Sequence, residues 1–316
     1  MKIVFFGSSE FSVPFLNSIY NSNHQVALVV TGIDKAKGRG RNMLGNPVKE
    51  YACKKDFKII GADKIDNEII SKISRLKFDC LALVSYGKLL PPEVLNLAQG
   101  KSVNVHPSLL PKYRGPSPIA SAILNGDSET GISIIGISER LDEGDIFAQC
   151  KFSIQNNETK DSLEDKMIRI GAPMLISILD LLQEGKIVPY HQPKVGITYT
   201  PLFSKEDLKI NWHNTAEEID NKIRAFSAEP GCFSFWNEKI IKIIKVTKII
   251  NFKTNDNLKN KKSGEIIRAD KVNGLMVKCG KGEIIRIETL KPQGKKAMSA
   301  LYFLNGYRIK AGEFFE

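Results

Sequence analysis

Residues 102–119 read S-V-N-V-H-P-S-L-L-P-K-Y-R-G-P-S-P-I, and the way the first five alternate decides how the chain around them is read. On a strand, Val103 and Val105 face one side while Asn104 and His106 face the other. Pro107 disfavours a helical His106 and supplies no N–H, so the strand ends at His106. An amide and an imidazole then share the carboxyl end of a strand, which is where open parallel sheets bind ligands. The amide can donate to an oxyanion and the imidazole can move a proton near neutral pH, a pairing suited to acyl transfer without a covalent enzyme intermediate. A lone Asn-x-His is more often structural, and a third group is needed to orient the ring. Asp142 is the candidate, within L-D-E-G-D at 141–145, in a turn after the apolar run Ile132–Ile137.

Moving outward, short apolar runs recur at Ile3–Phe6, Val26–Thr31, Phe57–Ile60, Cys80–Val84, Val103–His106 and Ile132–Ile137, with amphipathic stretches between them. Such alternation predicts an α/β domain with a parallel sheet and helices on both faces. Asn46-Pro47 marks a helix start, a capping residue followed by proline at the first helical position. Gly7-Ser-Ser-Glu10 follows the first strand in place of G-x-G-x-x-G, and no G-x-x-x-x-G-K-[ST] occurs, so neither NAD nor a nucleoside triphosphate is expected. Residues 32–46 form a glycine-rich loop with Lys35, Lys37, Arg39 and Arg41, which reads either as solvated surface or as a loop closing on an anion. Leu163, Met167, Ile170, Met174, Ile178 and Leu181 recur at intervals of three and four ahead of Gly185, predicting a core-facing helix.

Three prolines between 187 and 208 predict a linker. Thr215-Ala-Glu-Glu218 is a capping box opening a helix to about Phe226. Beyond it, runs at Phe233–Trp236, Ile240–Ile250, Gly264–Arg268, Gly274–Lys278 and Glu283–Leu290 predict a small barrel of five strands, with a bulge where lysines interrupt the isoleucines of 240–249.

The chain has 316 residues, 42% of them hydrophobic and 26% charged, enough for two domains with their own cores. Its net charge of +11 is uneven, with +2 in residues 1–208 and +9 in residues 209–316. That asymmetry favours a polyanionic partner for the second part. Five scattered cysteines without a C-x-x-C pair favour neither a zinc site nor a disulfide framework, and point to a reduced cytoplasmic setting. No apolar run approaches the length of a membrane span, and no partner membrane is expected.

The run Asn104-Val-His106-Pro-Ser108-Leu-Leu-Pro111-Lys-Tyr-Arg-Gly115, with Leu141-Asp142-Glu-Gly-Asp145 downstream, resembles the signature of the tetrahydrofolate-dependent formyltransferases. Gly38-Arg-Gly40, Tyr86-Gly87, Ser204-Lys205-Glu206 and Gly294-Lys-Lys-Ala-Met-Ser-Ala300 extend the resemblance over nearly the whole chain. It implies a Rossmann-like formyltransferase domain at 1–188, a linker at 189–208 and an OB-like barrel at 209–316 that binds tRNA. It also implies transfer of a formyl group from 10-formyltetrahydrofolate to the α-amine of methionine carried on initiator tRNA, by a monomeric enzyme needing no metal. Asn104, His106 and Asp142 take the catalytic roles. Ser108, Leu109, Leu110, Pro111, Tyr86 and Gly87 take the folate site, and Lys35, Lys37, Arg39, Arg41 and Lys205 bind the tRNA. The family often has Arg-Pro-Ala before Gly-Arg-Gly, whereas Lys35-Ala36-Lys37 stands here, keeping charge without the stiffness of proline.

Overall fold

Hydrophobic runs flanked by turns become the strands of two separate sheets in the computed structural model, which describes residues 1–36, 43–227, 229–249 and 260–316. The chain forms two compact units. The first gathers residues 1–118, 129–153 and 164–201; the second gathers 119–128, 154–163 and 202–316.

In chain order, the elements begin with β1 (Lys2–Gly7), α1 (Ser12–Tyr20), β2 (Gln25–Thr31), β3 (Lys35–Ala36), β4 (Met43–Leu44), α2 (Pro47–Lys54) and β5 (Ile59–Gly61). They continue with α3 (Asn67–Ser74), β6 (Cys80–Val84), α4 (Pro92–Leu97), β7 (Ser102–His106), α5 (Pro118–Leu124), β8 (Glu129–Ile135), β9 (Ile146–Ser153) and α6 (Lys160–Glu184). The first unit's main sheet has the order β5-β2-β1-β6-β7-β8-β9. β1 lies inside the sheet and its Ile3, Val4, Phe5 and Phe6 are fully buried, as expected of a parallel strand covered on both faces. Val4, Phe6, Val30 and Leu81 pack against Ile69 and Ile73 of α3 and Val94 of α4. Asn46 caps α2 by accepting from Val48 N at 3.0 Å and Lys49 N at 3.2 Å, an arrangement worth about 1 kcal/mol.

The sheet is parallel only as far as β7. β8 runs antiparallel to β7, with Asn104 opposite Ile135, and β9 returns antiparallel to β8. The expected parallel sheet is thus corrected at one edge, because a run of alternating residues specifies a strand without specifying its direction. β8 and β9 form a hairpin whose loop is closed at its base by Gly136 N donating to Asp145 O at 2.8 Å. The buried stripe of α6 also differs from the expected one. It passes through Leu163, Met167, Leu175 and Leu179, leaving Leu181 more than a third exposed. Gly171 lies on that stripe, where an added Cβ would meet the side chains of Ile132 and Phe15. Residues 190–200, expected as linker, are bonded into the first unit: Tyr190 bridges to Ile146 and Tyr199 to Arg114.

The second unit contains α7 (Ala216–Ala225), β10 (Cys232–Trp236), β11 (Lys239–Ile249), β12 (Ile266–Asp270), β13 (Gly274–Lys278), β14 (Ile284–Pro292), β15 (Met298–Ser299) and α8 (Ala300–Tyr307). Its capping box is complete, with the Thr215 and Glu218 side chains each accepting from the other's backbone N–H. The antiparallel order is β10-β11-β14-β13-β12, with β15 beside β14. Asn237 and Glu238 both have positive φ in the turn joining β10 to β11, the backbone that suits a tight hairpin. Pairing of β11 with β14 slips around Lys245, where the interrupted isoleucine run predicts a bulge. The two edge strands are joined through the last residues: Glu316 exchanges backbone bonds with Phe235 of β10, while Ile266 of β12 donates to Glu313 O at 2.8 Å.

Candidate active site

Pro107 ends β7 as its chemistry requires, and the site is built around the two polar side chains at that end. His106 is 4% exposed. Its Nε2 lies 2.9 Å from the carbonyl oxygen of Tyr113, and its Nδ1 lies 3.5 Å from Oδ2 of Asp142. A carbonyl only accepts, so Nε2 carries a proton and donates. The ring is therefore held chiefly by Tyr113, with Asp142 facing it at ion-pair distance.

Asp142 is the hub. Its Oδ1 accepts from Nδ2 of Asn104 at 3.2 Å and its Oδ2 from the backbone N–H of Gly115 at 2.8 Å. One proton of the Asn104 amide is used in this way, and the amide has a second to offer. Asp142 and Tyr113 have φ of 56° and 61°, left-handed values that cost a side-chain-bearing residue roughly 1 kcal/mol or more each. The loop carrying Asp142 comes so close to its own base that a Cβ on Gly144 would collide with the carbonyl of Gly136, so only glycine fits there.

The structure brings Asn104, His106 and Asp142 together. Ser108 is fully buried with its hydroxyl donating to Lys112 O at 2.6 Å, and Leu110 is buried beside Ile135 and Ile146. Leu109 is half-buried and Pro111 buried. The turn at 108–111 is braced from beneath, since Ser133 Oγ donates to Ser108 O at 2.6 Å and Gln149 Nε2 to Leu110 O at 2.9 Å. Tyr86 is buried, its hydroxyl has no partner among the described residues, and burial with Asp63 nearby pushes it up to about 12. Gly87 follows with φ of 74° and open space where a Cβ would be. Lys205 is exposed in the second unit. Lys35 lies in the two-residue ladder of β3 and β4, and Lys37, Arg39 and Arg41 lie outside the described residues. Among the described residues, no group of three or more His, Cys, Asp or Glu could hold a metal ion.

Three further contributors have no mark in the sequence: the Tyr113 carbonyl, the Gly115 N–H and Gln192. The first two are backbone groups. Gln192 donates through Nε2 to the carbonyls of Asp142 at 2.7 Å and Gly144 at 2.8 Å.

Comparison with known proteins bears on what such a site does. A family model described as formyl transferase matches residues 1–179, and one described as formyl transferase, C-terminal domain, matches residues 203–308. Methionyl-tRNA formyltransferase of Carboxydothermus hydrogenoformans is 41% identical over 316 residues, covering 100% of both chains. The protein of the same name from Dictyoglomus thermophilum is 39% identical, again covering 100% of both chains. Among solved structures, an N-formyltransferase from Helicobacter canadensis, in complex with folinic acid and dTDP-3-aminofucose, matches with a TM-score of 0.64. It is 22% identical, and the match covers 91% of this chain and 98% of that one. With both domain models matched and full-length relatives near 40% identity, the chain belongs to the formyl transferase family.

Proposed function

We propose that this protein transfers a formyl group from 10-formyltetrahydrofolate to the α-amine of methionine esterified to initiator tRNA, for translation initiation. The observation that carries the reading is the convergence of Asn104, His106 and Asp142 at the end of β7, in a chain aligned end to end with methionyl-tRNA formyltransferases. The folate donor supplies the formyl carbon when bound. Asn104 is placed to donate its remaining amide N–H to an oxygen gathering negative charge. His106, released from the Tyr113 carbonyl, donates a proton from Nε2 to a departing nitrogen. Asp142 holds both side chains in register and accepts the proton shed by the incoming amine, relaying it to Nδ1 of His106 as Nε2 gives its own proton away, so that the ring stays neutral and the carboxylate is restored. The braced backbone at Ser108, Leu109, Leu110 and Pro111, with Tyr86 and Gly87, suits the folate, and Gly87 leaves open space where a side chain would begin.

The first unit, through residue 201, carries the chemistry, and residues 209–316 form an OB-like barrel for tRNA; the tail that joins both edge strands and the local charge of +9 support this. Lys35, Lys37, Arg39, Arg41 and Lys205 serve the same acceptor. The protein works as a cytoplasmic monomer, without metal or NAD. The test is an assay with methionyl initiator tRNA and 10-formyltetrahydrofolate, following formyl-methionyl-tRNA by acid gel. Formylation that needs both substrates is expected. Formylation of a nucleotide-linked amino sugar with none on tRNA would overturn the acceptor.

A further inference from the structure

Gln192 sits between Pro189 and Pro193, in a stretch whose composition marks it as connecting chain, yet every polar atom of its side chain is used. Its Nε2 donates to the carbonyls of Asp142 and Gly144, at 2.7 and 2.8 Å. Its Oε1 accepts from Nε and Nη2 of Arg114, at 3.2 and 2.8 Å. One amide thus ties the loop that carries Asp142 to the loop that carries Tyr113 and Gly115, and those three residues supply or brace the two polar contacts of the His106 ring. Both loops hold a left-handed, side-chain-bearing residue, Asp142 in one and Tyr113 in the other, and such backbone persists only where the surroundings over-determine it. Arg114 is 5% exposed, and its Nη1 lies 2.8 Å from Glu143 Oε1, so the guanidinium cannot swing away to release Gln192.

We infer that Gln192 is a positioning residue for the reaction: it sets the distance between the two loops and so fixes the Asp142 carboxylate against Asn104 and His106. The inference rests on the assignment of Asp142 to the reacting set. A glutamine suits the task because its amide presents two donors to two carbonyls and an acceptor to a guanidinium. Glutamate keeps the length and the bond to arginine but turns an acceptor toward the two carbonyls. Alanine removes the partner of both carbonyls and of Nε and Nη2 of Arg114, whose Nη1 keeps Glu143.

The experiment is a double-mutant cycle on purified full-length protein, using Gln192→Ala, Gln192→Glu, Asp142→Asn and the double variants, with rates taken under single-turnover conditions so that slow variants remain measurable. Both Gln192 variants are expected to lower kcat about 10- to 100-fold, leaving KM for the folate donor within about twofold and melting temperature within a few degrees. In the Asp142→Asn background the same substitutions should cost less than about threefold further. His191→Ala serves as control, since it breaks only the exposed bond to Asp145 next door, and it should keep the wild-type rate. Additive losses from Gln192 and Asp142, a wild-type kcat in Gln192→Ala, or a loss that follows the melting temperature would overturn the positioning role. A wild-type rate in Asp142→Asn would instead overturn the assignment of Asp142.

Discussion

The two units use buried polar groups for opposite ends. In the first, they are concentrated on one imidazole: a carbonyl and a carboxylate meet the ring of His106, and an amide and a backbone N–H hold that carboxylate. In the second, they serve the frame. Trp212 Nε1 donates to Ser234 Oγ, Ser234 Oγ to Glu316 O and Trp236 Nε1 to Glu313, the last two bonds holding the end of the chain against β10. Among the described residues, most lysines of the second unit are at least partly exposed. The contrast shows two ways in which charge and hydrogen bonding serve one reaction. A reacting group gains from few partners at fixed positions in a dry place, whereas attraction to a polyanion is a sum over many exposed charges, none of them indispensable.

If that contrast is right, single substitutions should be severe in the first unit and mild in the second. The largest effects are expected from His106→Ala and Asn104→Ala, each lowering kcat roughly 10²–10³-fold in protein that remains folded by circular dichroism. Near-normal turnover in either would break the contrast outright. Gly144→Ala should come next. Its new methyl meets the Gly136 carbonyl, so the hairpin loop must shift, costing about 1–3 kcal/mol in a denaturant titration and displacing Asp142 with a loss of turnover. An unchanged midpoint together with unchanged turnover would show that the close approach does not matter.

Exposed lysines of the second unit should matter less. For Lys239→Gln and Lys245→Gln, affinity for tRNA should fall only a few-fold, and its dependence on salt should flatten by about one unit for each phosphate that is no longer neutralised, with kcat at saturation intact. Binding that ignores salt would contradict this.

The smallest effect concerns His24, buried beside the N-terminal ammonium at 3.1 Å and Asp180 at 3.3 Å. Burial, reinforced by the ammonium and opposed by Asp180, lowers its pKa from the ordinary value of about 6.5. The unfolded chain then binds a proton that the folded one refuses, so stability should be full above about pH 6.5 and decline as pH falls from there toward the folded-state value. His24→Gln should lose that slope, so the difference between the two proteins' urea midpoints should change as pH falls below about 6.5; parallel curves would mean that His24 contributes nothing.

Much of this was legible in the chain because it is local. The alternation in Val103–His106 and the proline after it place two side chains without reference to anything else, and the capping box at Thr215 and the cap at Asn46 are equally self-contained. Asp142 is visible only through its neighbours in the L-D-E-G-D turn, since no spacing rule connects it to Asn104. The direction of β8 was not legible, because it depends on how the chain returns and not on the strand's own residues. β9 is hidden for another reason: I-F-A-Q-C-K-F-S leaves most of its residues partly exposed, so no strong alternation marks it. Tyr113 and Gly115 act through backbone groups that every residue type possesses, and Gln192 meets its carbonyls only after the chain has folded back fifty residues later.

The division into units has a consequence for how such a protein can be taken apart or inherited. The chain leaves the first unit at 119, returns at 129, leaves again at 154, returns at 164 and departs finally at 202. Residues 119–128 and 154–163 therefore belong with a unit whose bulk begins much later. They are committed to it in detail: Arg224 Nη1 donates to Glu158 O at 2.9 Å, and Ile119, Ile123 and Leu163 are buried. A single cut near residue 202 would not yield two modules. It would leave a first half with two short stretches bearing apolar side chains and no unit to complete, prone to stick to whatever apolar surface they meet. Recombination at one point should thus fail where the exchange of a whole chain succeeds, and a free-standing first unit would require both stretches to be rewritten with polar residues.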